Sequence, residues 1–120
     1  MAVAKFEVPA KVVELQKDLI QKVAKKGKIK SGVNEVTKAV ERGTAKLVIM
    51  AGDVSPPEII MHLPIICKEK NIPFSYVATR KELGQQAGIA VSAAAIAIMD
   101  EGDAKKELAE VAKKLEGLAG

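Results

Sequence analysis

The side chains best suited to recognition chemistry gather in one stretch, Lys30-Ser-Gly-Val-Asn-Glu-Val-Thr-Lys-Ala-Val-Glu-Arg-Gly43. Helical spacing sets Asn34, Lys38 and Arg42 at i, i+4 and i+8, with Glu35 three before Lys38. These side chains then share one face and converge on one spot, while Val36, Ala39 and Val40 point toward a core. Each part has a use against a folded nucleic acid. Free N–H groups at the helix start, helped by Gly32, attract a phosphate or a base acceptor. Asn34 can both donate and accept. Glu35 only accepts, so it suits base amino and imino protons and is repelled by phosphate. Lys38 and Arg42 would hold the backbone. The same residues also fit an ordinary surface helix, its first turn favouring Asn34 and Glu35 and its charged face solvated.

Other constellations are poorer. His62 and Cys67 are the only candidates for a Cys–His pair, and Cys67 continues an apolar stripe, so a buried structural thiol and a helix-surface histidine are the plainer reading. Too few further soft ligands exist for a zinc site, and no GxGxxG or Walker sequence supports a nucleotide. No metal or cofactor is expected. Asp53, Asp100 and Asp103 could form a carboxylate cluster at strand ends, where α/β enzymes often work, although turn and cap roles fit them better. Ile89 and Val91 flank Ala90 in a segment expected at the surface. They could press on an unstacked base or tuck under the strand that follows.

The elements that must carry these residues follow from periodicity. Val8 and Pro9 open a first helix whose stripe is Val12, Leu15, Leu19 and Val23, and Gly27 ends it. Lys28-Ile-Lys30 is a short extended piece, and the helix of Asn34 closes at Gly43. Lys46–Ala51, Pro73–Ala78 and Ala93–Met99 read as strands, the first of them buried on both faces. Alanines in the third would let a helix pack closely. Ser55-Pro-Pro-Glu58 and Thr79-Arg-Lys-Glu82 have capping-box spacing. Pro64 predicts a break near His62 and Leu63. A last helix carries Leu108, Val111, Ala112 and Leu115. The alternation predicts an α/β protein, a three-layer α/β/α sandwich around a small mixed sheet of about four strands.

The 120 residues make one domain, 1–120, large enough for a core without staples. Apolar residues are 48% of the chain, yet the aromatics are Phe6, Phe74 and Tyr76 alone, which argues against the stacking platforms of single-strand RNA binders. Residues 1–50 hold 11 Lys/Arg against five Asp/Glu, and residues 51–120 hold eight against ten, so the halves carry +6 and −2. That asymmetry points to a polyanion on one side. The single cysteine, the absence of a signal-like start and of any long apolar run lead us to expect a soluble, cytoplasmic protein with no membrane contact.

Taken together, Lys30 to Gly43, the Ser55-Pro-Pro-Glu-Ile helix with His62-Leu-Pro64, Lys81-Glu-Leu-Gly84 and Ala87-Gly-Ile-Ala-Val-Ser92 resemble the archaeal large-subunit ribosomal protein that binds kink-turns, over almost the whole chain and in register. The resemblance implies an RNA-binding scaffold, not an enzyme, that recognises a sharply bent internal loop with tandem sheared G·A pairs. It assigns Gly32, Asn34, Glu35 and Lys38 to the widened groove and Lys30 and Arg42 to the backbone. Ile89, Ala90 and Val91 would cover the extruded nucleotide, with Lys81 near it. Implied partners are ribosomal RNA, box C/D and H/ACA guide RNAs with their particle proteins, and ribonuclease P RNA; the free protein is expected to be a monomer. The chain departs from that pattern at Gly52 and Ser55, where acidic residues are expected, and at Ala90, where many relatives carry glutamate. Outside the resemblance, two readings stay open: a small α/β enzyme working around Asp53 and Asp100, and a protein-interaction domain with an apolar patch around Ile89.

Overall fold

Helices and strands alternate in the computed structural model, which describes residues 10–53, 60–77, 79–89 and 91–119. The elements are α1 (Ala10–Lys26), β1 (Lys28–Ser31), α2 (Val33–Glu41), β2 (Leu47–Ala51), α3 (His62–Glu69), β3 (Phe74–Val77), α4 (Arg80–Gln86), β4 (Ala95–Asp100) and α5 (Lys105–Ala119). Their order is the predicted one, and most ends differ by a residue or two, as fraying ends do; α3 is the exception, since Ile60, expected inside that helix, is in a turn and the helix begins at His62. The opening of the first helix at Val8 and Pro9, the Ser55–Glu58 capping box and Ala90 lie outside the described residues. Among the described residues, no helix is long and apolar enough to cross a membrane.

The strands form one mixed sheet in the order β1-β4-β2-β3. Strand β4 runs antiparallel to both neighbours, and β2 and β3 are parallel. Paired residues share a face of a sheet, so register sorts the side chains. Ile29, Leu47, Ile49, Ile96, Ile98 and Ser75 face one way; Lys30, Val48, Met50, Ala95, Ala97, Phe74 and Tyr76 face the other. On the first face lies α1, whose Gln16 accepts a hydrogen bond from the Ser75 hydroxyl, and α1 touches α4 and α5. The alanine face of β4 receives α2, which packs beside α3. Small side chains there allow the close approach expected from the alanine run. The result is the three-layer α/β sandwich.

Burial on both faces explains why β2 reads as an unbroken apolar run. All of Leu47–Ala51 is buried, as is Ala95 through Ile98. At the open edge of β3, Gln16 donates through Nε2 to the Tyr76 carbonyl at 3.1 Å. Gln16 and Ser75 are fully buried, so this pairing offsets a desolvation cost of about 1–3 kcal/mol for each group left unpaired. Pro64 falls within the first turn of α3, where its missing N–H removes no helical bond, and the helix accordingly starts at His62. At the second capping-box site the N-cap bond forms as its spacing predicts: Thr79 Oγ1 accepts from the Glu82 N–H at 3.1 Å.

Candidate nucleic-acid interface

One end of the sheet collects the segments singled out by sequence. There β1 stops and its chain turns through Gly32, whose N–H donates to the Ala95 carbonyl at 2.9 Å. There too β2 stops, its Ala51 N–H donating to the Ala94 carbonyl at 2.9 Å, and the Gly52 N–H meets the Val77 carbonyl of β3 at 2.8 Å. Both α2 and α4 begin at this end, and the segment before β4 crosses it.

Gly32 is the N-cap of α2 at φ 96°, ψ 145°, a conformation that only glycine adopts without strain. It supplies no side-chain cap. The first helical bond runs from the Val36 N–H to the Gly32 carbonyl at 3.0 Å, so the N–H groups of Val33, Asn34 and Glu35 have no partner within the helix. A glycine cap costs only a few tenths of a kcal/mol against serine. Full burial of Val36 and Val40 contributes about 1.5–3 kcal/mol each, so packing decides that this short helix forms.

With Val36, Ala39 and Val40 buried against the sheet, Asn34, Glu35 and Lys38 are all exposed on the opposite side. Arg42 is exposed as well, but it is the C-cap of α2. Eight residues at 1.5 Å rise put it about 12 Å along the axis from Asn34, so the expectation that it converges on the same spot is corrected. It shares the face and stands at the far end. Lys30 is exposed on β1, and its pairing with Ala97 sets it on the sheet face that α2 covers.

Across the same end, Asp53 accepts from the Arg80 backbone N–H at 2.9 Å, with Arg80 Nε 3.5 Å away. The bond holds the start of α4 beside the turn after β2. Lys81 is exposed in that first turn of α4. The Ile89 N–H donates to the Gly84 carbonyl at 3.0 Å, and the Ala93 N–H to the Arg80 carbonyl at 3.1 Å. Ile89 and Val91 part company between these anchors. Ile89 is half-buried against the core, whereas Val91 is 70% exposed. The apolar surface expected from both is therefore mainly that of Val91 among the described residues.

The cations divide in the same way. Among the described residues, Lys22, Lys26, Lys46 and Arg80 have carboxylate partners. The hydrogen bond to Glu107 holds the Lys22 ammonium above its ordinary range, and the same bond holds Glu107 below the usual carboxylate range. Lys30, Lys38, Arg42 and Lys81 have no such partner among the described residues, so the α2 and α4 side keeps uncompensated positive charge, as do α1 at Lys11, Lys17 and Lys25 and α3 at Lys68.

The carboxylate cluster does not form. Because β2 and β4 are antiparallel, with Met50 opposite Ala95 and Leu47 opposite Ile98, Asp53 and Asp100 leave the sheet at opposite ends. All three carboxylates hold local structure instead. Asp53 fastens the start of α4, Asp100 accepts from the Gly102 N–H at 2.9 Å in a turn, and Asp103 pairs with Lys26 at 3.3 Å. Among the described residues, no group of three or more His, Cys, Asp or Glu is placed to hold a metal ion.

One contact was not foreseeable from spacing. His62 is half-buried, not on the helix surface, and its Nε2 lies 2.7 Å from Thr37 Oγ1 of α2. Thr37 occupies the i+4 position of the stripe Val33, Val36, Thr37, Val40, so a polar group on the packed side was a visible signal. Nothing in the spacing named its partner.

The sequence profile of the ribosomal protein L7Ae/L30e/S12e/Gadd45 family matches residues 15–108, from within α1 to within α5. The chain belongs to this family. Its fold is similar to that of the Giardia lamblia 15.5kD RNA binding protein, with a TM-score of 0.86 and 32% identity over 96% of this chain and 95% of that one. All the candidate contact residues of this L7Ae/L30e/S12e/Gadd45 member, from Lys30 to Val91, fall inside the matched stretch. In this member of the family, the end of the sheet formed by α2, α4 and the segment before β4 lies within the same matched stretch.

Proposed function

We propose that this protein is an RNA-binding scaffold that grips kink-turns, holding the bent internal loop at the mouth of α2. The observation that carries the reading is the exposure of Asn34, Glu35 and Lys38 on one face at a helix start whose first N–H groups have no partner within the helix. A sheared G·A pair leaves guanine imino and amino protons accessible, and an acceptor-only Glu35 suits them. Asn34 takes a base edge beside it. Lys38 and Lys30 bind phosphates flanking the loop, and Arg42 engages the backbone about 12 Å further on. Val91, with Ile89 behind it, covers the extruded nucleotide, and Lys81 approaches it from α4; Ala90 is assigned to the same contact by sequence.

Family membership and the likeness to a protein named for RNA binding support this assignment. Within it, the chain is read as an archaeal large-subunit ribosomal protein that also serves box C/D and H/ACA guide particles and ribonuclease P. It works in the cytoplasm, is monomeric when free, and meets the protein components of those particles once RNA is bound. Its role is non-catalytic, because binding favours the kinked conformer by its differential affinity for that state.

The test is folding of a doubly labelled kink-turn RNA by the purified protein at low magnesium. Energy transfer between the labelled arms should rise with protein concentration. An RNA whose sheared pairs are replaced by Watson–Crick pairs should show no rise. Equal response of both RNAs would refute the kink-turn reading and leave only general polyanion binding.

A further inference from the structure

The contact between α2 and α3 has a direction that the count of available protons decides. The Thr37 hydroxyl has one proton, and it goes to the Val33 carbonyl at 2.7 Å, since a carbonyl can only accept. Thr37 Oγ1 therefore presents a lone pair to His62, 2.7 Å away. The imidazole must carry its proton on Nε2, in the neutral ring as in the cation, and donate it. The chain of bonds runs from α3 through His62 and Thr37 to the carbonyl of Val33, the residue immediately before Asn34 and Glu35.

The placement matters because little else orients this turn. Gly32 caps without a side chain. The buried Val36, Ala39 and Val40 fix which face of α2 meets the sheet, and a directed bond adds a constraint on the angle at which its start is presented. Among the described residues, the hydrogen bonds that tie the N-terminal half of α2 to other elements are Gly32 to Ala95 and Thr37 to His62, the latter reaching the first turn through the Val33 carbonyl. They lie on different sides of the turn, one to the sheet and one to α3.

We propose that His62 is a positioning residue for RNA recognition: donating from Nε2 to Thr37, it holds the first turn of α2 at the rotation that presents Asn34 and Glu35 together. The proposal rests on the RNA-binding reading above. His62 itself touches no RNA and acts through Thr37 and Val33.

The experiment compares full-length wild type with His62→Ala, His62→Gln and Thr37→Val, measuring affinity for a labelled kink-turn, affinity for a plain RNA duplex, and the melting curve of each protein. Glutamine is chosen because its Nε2 carries donors at the reach of the imidazole Nε2. His62→Ala and Thr37→Val should each weaken kink-turn binding roughly three- to tenfold, the range for loss of one hydrogen bond, with duplex binding unchanged. His62→Gln should return to within about twofold of wild type. In nitrogen-15 spectra of the unbound protein, the neutral His62 ring should show its proton on Nε2, and the amide signals of Val33 to Glu35 should move in His62→Ala and return in His62→Gln.

Wild-type affinity for the alanine variant, or glutamine as damaging as alanine, would overturn the positioning role while leaving kink-turn binding intact. A ring proton found on Nδ1 in the neutral form would overturn it as well. Should wild type itself fail to prefer the kink-turn over the duplex, the functional reading and this inference fall together.

Discussion

Gly84 lies directly against the carbonyl of Val91: a Cβ built on Gly84 would stand 2.2 Å from that oxygen and 3.3 Å from the Ser92 Cα. The glycine inside α4 is what lets the segment before β4 lie down on the helix, with Val91 left exposed at the end of the sheet. Both obstructing atoms belong to backbone, so the clash has no flexible side chain to absorb it.

Gly84→Ala should therefore lift that segment off α4. Overpacking of this kind costs about 1–3 kcal/mol, outweighing the better helix propensity of alanine at about 1 kcal/mol. Urea unfolding should show a lower midpoint with unchanged slope. An unchanged or higher midpoint would mean that residues 89–92 move aside freely.

Removing a cation from the α2 face should change salt dependence more than specificity. Lys38→Ala, Arg42→Ala and Lys30→Ala should each reduce the slope of log affinity against log salt by about one. Discrimination between kink-turn and duplex should stay the same. Lys46→Ala is the control, since Lys46 is engaged by Glu101 at 3.2 Å at the other end of the sheet; its slope should match wild type.

The buried bridge across the β3 edge should be worth more than its position at the rim of the sheet implies. Gln16→Ala leaves the Ser75 hydroxyl and the Tyr76 carbonyl without the partner that α1 supplies. The expected loss is about 1–3 kcal/mol for the buried Ser75 hydroxyl that loses its acceptor, together with a cavity term, read from denaturant unfolding. A change within experimental error would show that water replaces the amide there.

High pH should unfold the protein through two buried acids. Burial pushes the Cys67 thiol up to about 12 from 9.0, and the Tyr76 phenol up to about 12 from 10.0. Both are neutral in the folded state where the unfolded chain has already ionised. Their contribution is fully present below the unfolded values and is lost as pH rises from about 9 to about 12. Stability followed by denaturant titration should fall across that window, less steeply in Cys67→Ala. The native thiol should react with alkylating reagents only as fast as the chain opens.

Much of this architecture was legible because the strands announce themselves. Leu47–Ala51 and Ala95–Ile98 are buried on both faces, so neither alternates and both read as apolar runs. The one-sided pattern of Val36, Ala39 and Val40 placed Asn34, Glu35 and Lys38 outward for the same reason. What could not be read was long-range pairing. Strand order puts Asp53 and Asp100 at opposite ends of the sheet, and no local spacing reports which neighbour β4 takes or in which direction. The turn after Gly88 placed Ile89 half-inside and Val91 outside, although both are β-branched and two apart. The half-buried place of His62 is not legible locally, because its partner Thr37 is 25 residues away, and a histidine at a helix start looks the same whether it meets water or a hydroxyl.

The most direct test of the central claim is a gel-shift titration of Glu35→Ala against a kink-turn RNA and a Watson–Crick duplex at fixed salt. Loss of the base contact should weaken kink-turn binding by about 1–3 kcal/mol and leave duplex binding where it was. Undiminished affinity for the kink-turn, or the same change for both RNAs, would contradict the assignment of this carboxylate to paired purines at the mouth of α2.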